Sequence, residues 1–74
     1  MTTWEACIAD TKRLAEAERE HAKRARSLAT STDVPEAEVW AALAKAREGK
    51  AKMLDMLAET EEKNFETFRR RKLA

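Results

Sequence analysis

Hydrophobic positions in the second half of the chain recur at helical intervals. From Val39 to Leu73 there is no proline and a single glycine, and the stretch reads as one helix of roughly ten turns at ~3.6 residues per turn. Its largest apolar residues form two rows with steps of eleven: Leu43, Leu54 and Phe65, and Ala46, Leu57 and Phe68. Eleven residues is close to three turns, so both rows are expected on one nearly straight face. The first half repeats in steps of three and four through Trp4, Cys7, Ile8, Thr11, Leu14 and Ala15, then Ala22, Ala25, Leu28 and Ala29. This is the stripe of a second amphipathic helix. In heptad terms one row is Trp4, Thr11, Glu18 and Ala25, and the other is Cys7, Leu14, His21 and Leu28. The seam they predict is apolar at both ends and polar in the middle, with Cys7 and His21 inside it.

Terminus signals agree with these two elements. Thr2 and Glu5 form the T-x-x-E pattern of a capping box. Lys23, Arg24 and Arg26 stand near the end of the first helix, where its dipole favours cations. Residues 29–35 break the periodicity, because their hydroxyls and carboxylate compete for backbone hydrogen bonds and Pro35 biases Val34 away from helical angles. Asp33 with Glu36 makes a second capping box, with Pro35 tolerated in a first turn. The pattern predicts one domain over residues 1–74, with a helix over 3–29, a loop over 30–34 and a helix over 35–72. The fold class is all-α: an antiparallel two-helix hairpin, coiled-coil-like, with a longer second helix. Val39, Trp40, Leu43, Met53, Leu54, Met56 and Leu57 span more than one seam of the second helix, and dimerisation into a four-helix bundle would cover that width.

A turn centred near residue 32 sets the expected facing. Leu28 meets Trp40 or Ala37, His21 meets Leu43, and Trp4 lies opposite Glu61. Glu18 faces Ala46 and Arg47, so Glu18 and Arg47 are expected to form a cross-helix ion pair that fixes register. Glu62 to Ala74 is left as an overhang of about 15–18 Å at ~1.5 Å per residue. It carries Phe65 and Phe68 on one face, followed by Arg69, Arg70, Arg71 and Lys72, and Phe68 has no expected partner within the hairpin. The candidate partner-binding residues are therefore Trp40, Met53, Met56, Leu57, Phe65, Phe68, Arg69, Arg70 and Arg71, with Phe65 and Phe68 as anchors. Gly49 costs ~1 kcal/mol relative to alanine at mid-helix, as a tolerated weak point or as the site of a close crossing or hinge.

Composition narrows the function classes. Charged residues make up 39% of the 74 residues, the mark of long helices or coiled coil. One cysteine and one histidine leave no internal disulfide and no zinc site of the usual Cys/His type. A chain this short rarely gains more than ~3–5 kcal/mol from its own core, which makes association the expected source of further stability. Fifteen basic and fourteen acidic residues nearly cancel, so no overall field draws the chain to nucleic acid or membrane. The run Arg69–Lys72 keeps three readings open: a solvated helix end, a salt-bridge partner for acidic residues of a second molecule, or phosphate contact. No nucleophile–base arrangement, phosphate loop or metal-ligand spacing appears, so no enzyme activity and no cofactor is expected. Glu5 and Asp10 interrupt any secretory signal, and no apolar run approaches the ~20 residues of a membrane span. A lone thiol without a signal fits the cytoplasm.

In outline the chain resembles the short helical hairpins of bacterial type III export machinery, the needle subunits and their small co-chaperones. The likeness lies in length, an early tryptophan (Trp4), a turn containing Asp33 and Pro35, and a long second helix. The second proline and the asparagine- and tyrosine-rich turn of needle subunits are missing. The expectation is thus a protein–protein interaction or assembly module, an adaptor, small co-chaperone or structural subunit acting on another protein or on itself. Two alternatives are a nucleic-acid-associated regulator using Arg69–Lys72 and a small hairpin of a bacterial export apparatus.

Overall fold

A computed structural model describes residues 2–73. It contains two helices, α1 (Thr3–Ser31) and α2 (Glu36–Leu73), and no strand among the described residues. They run antiparallel, since Lys12 near the start of α1 meets Glu62 late in α2 and Arg26 near its end meets Glu48. The assembly is a slab of 61 × 18 × 11 Å.

Local chemistry sets the helix ends. The Thr2 hydroxyl accepts from the Glu5 N–H at 3.1 Å, as the first capping box predicts. At the other end of α1, Thr30, Ser31 and Thr32 do not break the helix at residue 29. Their hydroxyls donate back to the carbonyls of Ser27 and Leu28, and α1 continues to Ser31. This extension leaves the last turn of α1 without a basic residue, one turn beyond the Lys23–Arg26 cluster. At the start of α2 it is the Asp33 carbonyl, rather than its carboxylate, that accepts from the Ala37 N–H at 2.9 Å. The Val34–Pro35 peptide is cis.

The buried interior is small-residue throughout. Ala15, Ala22, Ala25, Ala44, Ala51 and Ala58 are buried, Thr11 joins them, and no large side chain is fully enclosed. The repeat is seven, not eleven. On α1 the seam rows are Ile8, Ala15, Ala22 and Ala29, beside Trp4, Thr11, Glu18 and Ala25; on α2 they are Ala37, Ala44, Ala51, Ala58 and Phe65, beside Trp40, Arg47, Leu54, Glu61 and Phe68. The eleven-residue rows do not form a common buried face: Leu43 is 40% exposed and Leu57 50%, and Ala46 is also exposed. Alanine rows win because a methyl group lets two backbones joined by a short turn approach closely, and dense contact per unit length outweighs side-chain size. A strict seven-residue repeat also implies a left-handed supercoil rather than a straight face.

The same shift corrects the second row expected for α1. Cys7, Leu14, His21 and Leu28 lie one residue outside the seam, and all four are exposed. Neither Cys7 nor His21 is a seam residue; Ala15 and Ala22 occupy the positions assigned to Leu14 and His21.

Candidate interaction surface

Two flanks border the alanine seam, and their chemistry differs. On one side Lys12, Arg19 and Arg26 of α1 reach Glu62, Asp55 and Glu48 of α2. Each step of seven up α1 is matched by a step of seven down α2, giving a ladder of cross-helix ion pairs. These pairs hold the Arg19 and Arg26 guanidiniums above their ordinary pKa, through hydrogen bonds to Asp55 and Glu48 respectively. The Glu48 carboxyl is held below its ordinary value of 4.5 by its bond to Arg26.

The opposite flank is largely neutral. It carries Cys7, Leu14, His21 and Leu28 from α1 and Leu43, Lys50 and Leu57 from α2. Leu14 is 57% exposed. Val39 and Met53 widen this strip on α2, with Met56 farther round the helix, and all three are exposed. Of the residues expected to bind a partner, Met53, Met56 and Leu57 are therefore open to solvent. Trp40 is half-buried, with its indole N–H donating to Glu36 at 3.3 Å.

A polar cluster interrupts this flank at mid-length. Arg47 donates to both carboxylate oxygens of Glu18, at 3.0 and 3.1 Å, and Lys50 lies 3.5 Å from the same carboxylate. The expected Glu18–Arg47 pair is thus in place, joined by Lys50. The Glu18 side chain is only 13% exposed. Its pKa is lowered from the ordinary 4.5, first by the hydrogen bond from Arg47, against the opposing effect of burial.

At the far end the arms overlap further than a turn centred at residue 32 predicts. Trp4 packs against both Phe65 and Phe68, each with ring centroids 6.2 Å apart. Phe68 therefore has a partner inside the hairpin, although it stays 46% exposed, and the free overhang shrinks to the segment beyond it. Ala74, the last residue of the expected overhang, lies outside the described residues. The basic run folds back on its own helix. Arg69 sits over the Phe65 ring at 5.6 Å and Lys72 over Phe68 at 5.7 Å, and Arg70 pairs with Glu66 at 3.5 Å. Cation–π contact of this kind satisfies an exposed cation locally; Arg71 is exposed.

Sequence reasoning missed the role of Glu61. It faces a shallow groove with Thr3, Trp4 and Cys7, and its Oε1 is buried without a hydrogen-bond partner. The signal was present, because Glu61 falls on the seven-residue row with Arg47, Leu54 and Phe68. Among the described residues no group of three or more His, Cys, Asp or Glu converges as a metal cage, and no helix is long and apolar enough to cross a membrane. Comparison with protein-family models, curated proteins and solved structures finds no match to this chain.

Proposed function

We propose that this chain is a non-enzymatic protein–protein interaction or assembly module that works by helix packing, and that self-association into a four-helix bundle is one way it closes. The observation that carries this reading is the inversion of its hydrophobic content: the buried residues are alanines and one threonine, while Leu14, Leu43, Met53 and Leu57 are exposed. Burying a methyl contributes only about 0.8 kcal/mol, so the alanine seam is a thin core for two helices of 29 and 38 residues. Exposed leucines and methionines in rows along one flank are the usual form of a helix-packing interface. Phe68 extends the same surface at its far end.

The basic tail favours no second reading. Arg69 and Lys72 rest on aromatic rings and Arg70 on Glu66, contacts that a phosphate would have to displace. Sedimentation equilibrium at low and moderate salt, with and without a short nucleic-acid duplex, tests the proposal. Packing predicts association that is insensitive to salt and no shift with the duplex. A chain that binds the duplex with affinity falling steeply as salt rises belongs to the nucleic-acid class instead.

A further inference from the structure

We infer that the occupant of the neutral flank is a second copy of this chain, docked head to tail about a two-fold axis through the Glu18–Arg47–Lys50 clusters. This rests on the packing-module reading above and specifies its partner, its face and its orientation.

Three features point to it. The first is symmetry along the flank. Leu14 and Leu28 each stand seven residues from His21, and Leu43 and Leu57 each stand seven from Lys50. Rotation about the polar centre therefore brings the Leu28/Leu43 layer of one copy onto the Leu14/Leu57 layer of the other, with about 10 Å between layers and centre at ~1.5 Å per residue. The polar middle meets itself, its Glu18 carboxylate already satisfied by Arg47 and Lys50 within each copy.

Charge selects the orientation. The tip of the loop bears Asp33, Glu36 and Glu38, with Lys23, Arg24 and Arg26 of α1 set back behind it, and the tip of the other end bears Arg69, Arg70, Arg71 and Lys72. Head to tail, the exposed Arg71 of each basic end approaches the partner's acidic loop, and the exposed Val34 comes near the half-covered Phe68. With both copies pointing the same way, the two basic ends would lie side by side, at a like-charge cost.

The third feature is extent. With the axis at Lys50, 14 residues from the start of α2 and 23 from its end, two copies overlap over about 42 Å at ~1.5 Å per residue. Across a width of 18 Å this is roughly 760 Å², close to the ~800 Å² per partner of a standard stable interface. The opposite face carries the ion-pair ladder, whose charges are already matched within one hairpin.

Cys7, the one cysteine of the chain, supplies the test. A nitroxide on Cys7 lies fourteen residues from His21, or about 21 Å from the proposed axis at ~1.5 Å per residue. Head-to-tail pairing predicts a dimeric mass and a label-to-label distance of roughly 40 Å, whereas same-end pairing puts the labels within roughly 20 Å. Leu43→Lys with Leu57→Lys should weaken the dimer at least about tenfold, while Arg19→Ser on the ladder flank should leave its affinity unchanged. Both leucines are already 40–50% exposed, so the alanine seam is not broken by the change. A dimer with close labels overturns the orientation, and a dimer indifferent to the leucine changes overturns the face. A fully helical monomer that ignores nucleic acid overturns the second copy as occupant, and leaves the packing-module reading to a different protein.

Discussion

Glu18 concentrates the physics of the hairpin in one residue. It stands on a seam row between Thr11 and Ala25, where a lone carboxylate would be costly, and it is tolerated because Arg47 and Lys50 both reach it. Its folded pKa lies below the ordinary 4.5, so its contribution to stability is fully present above that value and is lost as pH falls through the depressed one. Glu48 behaves the same way through Arg26. Thermal stability should therefore hold from neutral pH down to about 5 and fall below about 4.5. Glu18→Gln should lower stability at neutral pH and shrink, without abolishing, the acid-dependent fall. An unchanged melting profile across the acid range in that variant would remove Glu18 from the account. Additive effects of Glu18→Ala and Arg47→Ala would deny the pair its coupling. This pair was legible in the sequence because opposite charges at a seam have few other places to go. The place of Glu61 on a seam row was equally open to view, but the burial of its Oε1 was not, since it depends on how Trp4 and Cys7 close around it.

At the scale of the helices, the existence and order of both elements were legible from periodicity and the interruption before Pro35, and the start of α1 from its cap. α1 runs on to Ser31 rather than ending at 29, and α2 starts at Glu36 rather than at 35. The choice of buried face was not legible. Ranking residues by size drew attention to Leu43, Leu54 and Phe65, whereas the helices approach along Ala44, Ala51 and Ala58. The seven-residue alanine rows were in plain view at 15, 22 and 29 and at 37, 44, 51 and 58. What the sequence alone lacks is the separation of the helices, and that separation decides whether small or large residues line the contact. Two neighbouring substitutions should act in opposite directions as a result. Ala51→Leu forces a large side chain into the seam and should destabilise by ~1–3 kcal/mol. Gly49 is exposed, and nothing lies within 4 Å of a methyl group added there, so α1 does not cross closely at this point. Gly49→Ala should then stabilise by ~1 kcal/mol through helix propensity. Chemical denaturation of the two variants checks both signs, and a neutral Ala51→Leu would refute the alanine seam.

The whole molecule is a slab with a ladder of ion pairs along one face and a row of exposed leucines along the other. The ladder is complete within one chain, because Lys12, Arg19 and Arg26 each have an α2 anion. Exposed pairs of this kind add little individually and are screened by salt, so they orient the helices more than they hold them. The other face leaves Leu14, Leu28, Leu43 and Leu57 exposed. If a second copy covers them, folding and association are one equilibrium, and apparent stability must rise with concentration by mass action. A tenfold rise in concentration adds ~1.4 kcal/mol per dimer, which for chains of this size corresponds to a rise of roughly 3–5 °C in melting temperature. The rise should persist at high salt, since the buried leucine layers carry no net charge. Melting curves over roughly two decades of concentration, at low and high salt, measure this directly. A melting temperature that does not move with concentration would mean the alanine seam holds the hairpin unaided.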